Sequence, residues 1–93
     1  MKVIKRDGRA VDYNRDKIKV AIEKANNEVK PKERATKEEI SEITKYIEEL
    51  DKKRILVEDI QDIIEQQLMD RKRFDLAKKY MIYRYTRDRK SVV

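Results

Sequence analysis

The chain is 93 residues long, with a net charge of +6, 47% charged residues and a mean hydropathy of −0.98. It has no cysteine and no histidine, which excludes disulfide frameworks, thiol nucleophiles and the commonest metal ligands and proton shuttles. No apolar run approaches the ~20 residues of a membrane span. We therefore expect one soluble, cytoplasmic domain over residues 1–93, whose excess positive charge favours an anionic partner.

The first predicted element is a β-hairpin over residues 1–13. It contains Asp-Gly at positions 7–8 between two runs with apolar residues, which is a strong hairpin signal. A two-residue turn would place Ile4 opposite Val11. The face formed by Ile4, Val11 and Tyr13 would then pack on the rest of the domain, because an isolated two-stranded hairpin is only marginally stable in water.

Three cations crowd this hairpin, namely Lys5, Arg6 and Arg9. A two-residue turn would oppose Arg6 to Arg9, an unfavourable pairing of about 0.2–1 kcal/mol. Charged side chains on a strand edge also protect it against aggregation, and charge alone favours this interpretation. The alternative is that the cations surround an anion.

Four amphipathic helices and one short strand are predicted after the hairpin. Each helix carries apolar residues at three- and four-residue steps. Asn14 is a good N-cap, and Thr36 with Glu39 fits a capping box. The predicted helices cover residues 14–30, 36–53, 58–70 and 74–89, and the strand covers residues 54–57. The sequence therefore predicts one compact α+β unit dominated by helices, with a hairpin or a three-stranded sheet.

Three segments of this chain resemble the ATP-cone domain. They read VIKRDGRAV…NRDKI at residues 3–18, ILVEDIQDIIEQQLM at 55–69 and DLAKKYMIYRYTR at 75–87. The segments have the order and separation of that domain and together cover essentially the whole chain. The resemblance implies a fold in which the small sheet caps a four-helix bundle. It also implies an allosteric domain without catalytic residues, which binds ATP or dATP between the sheet and the first helices. Magnesium would arrive with the triphosphate.

The same resemblance implies the context of the domain. ATP-cone domains usually lie in the large subunit of ribonucleotide reductases, where they switch overall activity through oligomeric state. The expected partners are therefore an adenine nucleotide and the subunits of a parent reductase acting on ribonucleoside di- or triphosphates.

By resemblance, Lys5 and Arg6 take the phosphate-binding positions, and Lys17 contributes from the first turn of helix 1. Arg87 matches a further basic position. A P-loop is excluded, because the chain lacks G-x-x-x-x-G-K-[ST] and its only glycine is Gly8. Side chains, aided by the N-terminus of helix 1, must therefore neutralise the phosphates.

The remaining implied positions belong to the base and the sugar. Val3, Ile18 and Ile60 match apolar positions that hold adenine, and they fit an ordinary core equally well. Asn14 matches a position that reaches the nucleotide, although helix capping alone would explain it. Two further positions depart from polar residues of some family members: Val11 stands where they have glutamate, and Val57 where they have threonine.

Two alternatives remain open from the residues alone. Tyr80 and Tyr83 share a helix face, which fits a core or site wall better than a stacking platform for single-stranded nucleic acid. Arg9 lies outside the matched positions, and we assign it to solvent. The alternative function is a basic helical module that binds nucleic acid or a protein partner, with nucleic acid the less favoured of the partners.

Overall fold

The computed structural model describes the backbone of residues 1–92 and the side chains of residues 1–83. A mixed three-stranded sheet and four α-helices confirm the predicted α+β class. Within the described part of the chain, no helix is both long and apolar enough to cross a membrane. The elements in chain order are β1 (Lys2–Ile4), β2 (Ala10–Asp12), α1 (Arg15–Asn26), a 3-10 turn (Pro31–Glu33), α2 (Lys37–Glu49), β3 (Arg54–Leu56), α3 (Val57–Asp70) and α4 (Phe74–Val92).

The first helix is shorter than the predicted range of 14–30. It ends at Asn26, and the N–H of Glu28 then donates to the Ala25 carbonyl (3.0 Å) in a tighter turn. Lys30 is extended, with ψ 149°, as expected for a residue before proline. Pro31 then starts the 3-10 turn, which lies between the first two predicted helices.

The turn of the hairpin is longer than predicted. The N–H of Lys5 donates to the Arg9 carbonyl (2.8 Å), and the N–H of Gly8 donates to the Lys5 carbonyl (2.9 Å). Gly8 has φ +90°, a left-handed conformation that glycine adopts without steric cost. The loop therefore has three residues, and the predicted opposition of Arg6 to Arg9 is wrong.

This turn shifts the strand register by one residue. Val3, not Ile4, lies opposite Val11, and Ile4 pairs with Ala10. Because alternate residues of a strand face opposite sides, the shift exchanges the two faces of β1. Val3 packs in the core together with Val11 and Tyr13, whereas Ile4 lies on the outer face. The predicted packing of Ile4 was therefore wrong.

The third strand lies on the other side of β1, giving the order β2-β1-β3. It runs parallel to β1, with Ile55 beside Val3 and Leu56 beside Ile4. Ile55 is buried, whereas the side chain of Leu56 is exposed. One face of the sheet therefore joins the core, and the other faces outward.

The helices enclose the main part of the core. α1 packs on α2 and α4, and α3 packs on the same two helices. Fully burying each large aliphatic side chain contributes about 1.5–3 kcal/mol, so the helical packing is the main stabilising contribution. The most deeply buried large apolar residues are Ile22, Ile43, Ile47, Ile64, Leu68 and Leu76.

A partly buried ion pair ties the start of α2 to the start of α4. Arg73 Nη2 lies 3.0 Å from Glu39 Oε1, and Arg73 Nη1 donates to the Lys32 carbonyl (2.9 Å). Glu39 also completes a capping box with Thr36, as predicted. Burial by itself raises the pKa of Glu39, but the hydrogen bonds from Arg73 and from the Thr36 N–H outweigh it and lower the pKa.

Glu39→Gln should therefore destabilise the fold in a pH-dependent way. A carboxyl group whose pKa is lowered by folding stabilises the protein above its ordinary pKa, here 4.5, and this contribution is lost as the pH falls through the folded-state pKa. We expect a loss of about 1–2 kcal/mol at pH 7, shrinking below pH 4.5. The measurement is thermal unfolding between pH 7 and pH 3.

Glu38→Gln is the matched control, because Glu38 lies in the same first turn of α2 but is exposed. It should change the melting temperature little at any pH. A difference between Glu39→Gln and the original protein that stays constant down to pH 3 would contradict the assignment of this stability to the Glu39 charge.

Candidate functional site

A cleft of about 660 Å³ opens between the hairpin, α1, α3 and α4. This volume lies within the range of about 300–1,000 Å³ that is typical of small-molecule sites. The inner faces of β1 and β2 form one wall, and residues from the three helices form the other walls. The fold therefore brings segments that are far apart in sequence to one site.

Every predicted site residue whose side chain is described lines this cleft. The prediction for Arg87 falls outside the described side chains. Tyr80 and Tyr83 also line the cleft, which agrees with their predicted role as core or site wall. The predicted residues at the cleft are Val3, Lys5, Arg6, Val11, Asn14, Lys17, Ile18, Val57 and Ile60.

One end of the cleft is apolar and continuous with the core. Val3, Ile18 and Ile60 are each less than 9% exposed and belong to the core cluster. The same side chains line the cleft. Their place in the core is therefore compatible with the predicted contact with a base, and the packing of the fold keeps the apolar walls in place.

The other end of the cleft is cationic. Lys5 lies two residues after Val3, so it continues the inner face of β1 into the turn. Arg6 follows in the loop, and Lys17 projects from the first turns of α1. An elongated ligand with an apolar end and a strongly anionic end matches this arrangement.

Arg9 also lines the cleft, but its side chain is 72% exposed, in keeping with its predicted position in solvent. It lies opposite Lys5 across the three-residue loop, which turns it toward the same side of the hairpin. Its backbone N–H (3.0 Å) and its Nε (2.6 Å) both donate to the Asp7 carboxylate. The hydrogen bond from the Arg9 backbone N–H is the larger cause that lowers the pKa of Asp7, and the contact with the Arg9 side chain is a smaller one. Arg9 is therefore already paired with an acid of its own loop.

Two helices begin at the cleft. Asn14 caps α1, with its side-chain oxygen accepting from the Asp16 N–H (2.9 Å), so its capping role and its place in the cleft are compatible. α3 begins at Val57, and the preceding residue Leu56 provides no side-chain cap. Free backbone N–H groups and the helix dipole both favour an anion at such positions.

Gln61 is a cleft residue that sequence analysis missed. Among the described side chains, its Oε1 is the buried polar atom that lacks a hydrogen-bond partner. Its spacing could have identified it. Gln61 lies four residues after Val57 and three before Ile64, so the three residues share one face of the helix. A buried acceptor without a partner costs free energy.

Tyr13 lines both the cleft and a neighbouring, more open surface depression. Its hydroxyl donates to Glu48 Oε2 (2.9 Å), and Arg15 Nε donates to the same oxygen (2.9 Å). Burial and the Glu48 carboxylate raise the pKa of Tyr13, whereas Arg15 lowers the pKa of Glu48. These contacts fix the Tyr13 ring between the hairpin and α2.

The cleft offers no protein cage for a metal ion. In the part of the chain that the structure describes, no group of three or more acidic side chains could hold one. Asp12 also lines the cleft, but Lys2 pairs with it and lowers its pKa.

Comparisons with known proteins agree with this geometry. Residues 1–89 match the family model described as ATP cone domain. The chain is 42% identical to a vitamin B12-dependent ribonucleoside-diphosphate reductase from Thermoplasma acidophilum, over 91% of the chain and 12% of that protein. It is 37% identical to the ribonucleoside-diphosphate reductase subunit alpha from Chlamydia pneumoniae, over 94% of the chain and 9% of that protein.

A further reductase subunit alpha, from Chlamydia trachomatis, is 38% identical over 96% of the chain and 10% of its own length. The chain thus spans about a tenth of the length of these relatives. Because the family model covers residues 1–89, the chain belongs to the ATP cone domain family, whose members bind ATP or dATP as allosteric ligands.

Proposed function

We propose that the cleft binds ATP or dATP, without turnover, as the allosteric ligand of a ribonucleotide reductase. The observation that carries this proposal is the polarity of the cleft, which is apolar at the core end and cationic at the hairpin loop. An adenine nucleotide has the same polarity, with a flat base at one end and a triphosphate at the other.

The base lies against Val3, Ile18 and Ile60 in this proposal. Covering the exposed part of these side chains gives a hydrophobic contribution of about 25 cal/mol per Å² of apolar area. The side-chain amide of Gln61, which lines the cleft, then turns toward the base and accepts a hydrogen bond from the exocyclic amine of adenine. That contact satisfies the buried acceptor that lacks a partner in the protein alone.

The triphosphate lies among Lys5, Arg6 and Lys17. Charge-assisted hydrogen bonds from these side chains replace the backbone cradle of a P-loop, which a chain with one glycine cannot build. The N-terminus of α1 adds to the favourable field. Magnesium arrives with the triphosphate.

The sugar lies between these two ends. Val11 and Val57 line this part of the cleft with apolar side chains, so they contribute packing and no hydrogen bond to the ribose. Family members with glutamate and threonine at these positions have polar groups there, and this chain therefore holds the sugar differently.

Regulation follows from how the site is built. The nucleotide draws the cations of the hairpin toward the N-terminus of α1 and changes the orientation of α3 and α4. The altered helix surface then selects a subunit contact in the parent reductase and thereby its oligomeric state. Such a switch requires that the nucleotide binds one of the two arrangements more tightly than the other.

Replacing both Lys5 and Arg6 by alanine should abolish nucleotide binding. Each charge-assisted hydrogen bond contributes about 1.5–3 kcal/mol, so losing both should weaken ATP affinity by a factor of about 100 or more. Isothermal titration calorimetry with ATP and dATP measures the loss, and circular dichroism checks that the helical content is retained.

The control replaces Lys37 and Lys45, two exposed lysines of α2 outside the cleft, by alanine. It removes the same charge and should leave ATP affinity nearly unchanged. An original protein that binds a short oligonucleotide with steep salt dependence, and neither ATP nor dATP, would contradict the proposed function.

Gln61→Leu should have opposite effects on stability and on binding. Removing a buried acceptor without a partner should raise the melting temperature of the free protein by several degrees, since about 1 kcal/mol corresponds to about 4–8 °C at this size. ATP affinity should fall about fivefold, the equivalent of one hydrogen bond of about 1 kcal/mol.

Gln66→Leu is the control for this pair of measurements, because Gln66 is exposed on the same helix and bonds to Asp70. It should not raise the melting temperature. Unchanged ATP affinity in Gln61→Leu would show that Gln61 does not contact the nucleotide.

A further inference from the structure

An ion pair connects the loop of the hairpin to the first turn of α3. Arg6 Nε lies 3.1 Å from Glu58 Oε1, and the two side chains are 49% and 54% exposed. Arg6 lines the cleft, and Glu58 follows Val57, which also lines it. A cation that we assign to the triphosphate is thus held by a carboxylate at the edge of the same site.

We propose that Glu58 competes with the triphosphate for Arg6, so that this ion pair acts as a latch that the nucleotide opens. The inference rests on the proposed function of the cleft and names a further residue that sets its affinity. In the ligand-free protein the latch holds Arg6 against α3. With nucleotide bound, Arg6 turns to phosphate oxygens, and Glu58 is released to solvent.

The geometry lets Glu58 and a phosphate group compete for one edge of the Arg6 guanidinium. A guanidinium group binds phosphate best through two parallel N–H donors, and the edge that contains Nε is one of the two edges able to do so. Glu58 occupies that edge. A carboxylate at the site also repels a triphosphate, and its repulsion is greatest while it stays beside Arg6.

The strength of the pair suits a latch. Forming an ion pair between half-exposed side chains changes an equilibrium constant by less than about fivefold. A triphosphate carries several negative charges and receives further contacts from Lys5 and Lys17, so it displaces one carboxylate easily. Glu58 therefore reduces affinity moderately and does not block the site.

Opening the latch also changes what holds α3. In the free protein, the pair ties the hairpin loop directly to the first turn of α3. In the complex, that tie is replaced by contacts that run through the ligand to Val57 and Gln61 on the same helix. The latch thus gives the hairpin and α3 two alternative sets of contacts, which a switch requires.

A double-mutant cycle tests the latch. The proteins are the original chain, Glu58→Gln, Arg6→Gln and the double variant, each titrated with Mg-ATP by calorimetry at one fixed ionic strength. Glu58→Gln should bind ATP about two- to fivefold more tightly than the original chain. In the Arg6→Gln background, the same substitution should change affinity little, because the residue for which Glu58 competes is gone.

Asp59→Asn is the matched control. Asp59 is the next residue in the first turn of α3, so its replacement removes the same charge from the same helix end. Its effect on ATP affinity should be smaller than that of Glu58→Gln. Circular dichroism and melting temperatures confirm that all variants are folded.

The possible outcomes separate the two proposals. If the original chain binds ATP and Glu58→Gln binds equally or more weakly, the latch is overturned and the proposed function stands. If Glu58→Gln gains the same affinity with and without Arg6, general repulsion is the cause, and the latch is again overturned. If neither the original chain nor any of the variants binds ATP, both proposals fail.

Discussion

The register of the hairpin decides which side chains can form the site. With Val3 opposite Val11, the inner face of β1 carries Val3 and then Lys5, one apolar and one cationic residue. A shift by one residue would turn both outward and bring Ile4 inward. The three-residue loop sets this register, and Gly8 at φ +90° allows the loop to form. The polarity of the cleft therefore depends on one turn.

Packing against the helices stabilises this small hairpin as part of the site. Two short strands alone are marginally stable in water, but Val3 is buried in the same cluster as Ile18 and Ile60. β3 pairs with the other side of β1, and Tyr13 is held by Glu48 of α2. The apolar walls of the cleft are thus part of the core, while the cations lie on the loop and at the start of α1.

The α+β class and most of the residues that line the cleft could be predicted from the sequence. The predictions that failed did so for physical reasons. Asp-Gly identifies a hairpin, but it suits both a two-residue turn and a three-residue loop with a left-handed glycine, so the predicted register was wrong. The orphaned acceptor of Gln61 and the pairing of Arg6 with Glu58 depend on distances between segments far apart in sequence. Local patterns do not contain those distances.

The most direct test of the nucleotide site is an NMR titration of the ¹⁵N-labelled domain with Mg-ATP. The account predicts saturable shifts of the backbone amide signals at Lys5, Lys17, Val57 and Gln61, which lie around the cleft. The signal of Lys45, on the exposed face of α2, should stay in place. Shifts concentrated on α2, or no shift at the cleft residues at saturating nucleotide, would contradict the account.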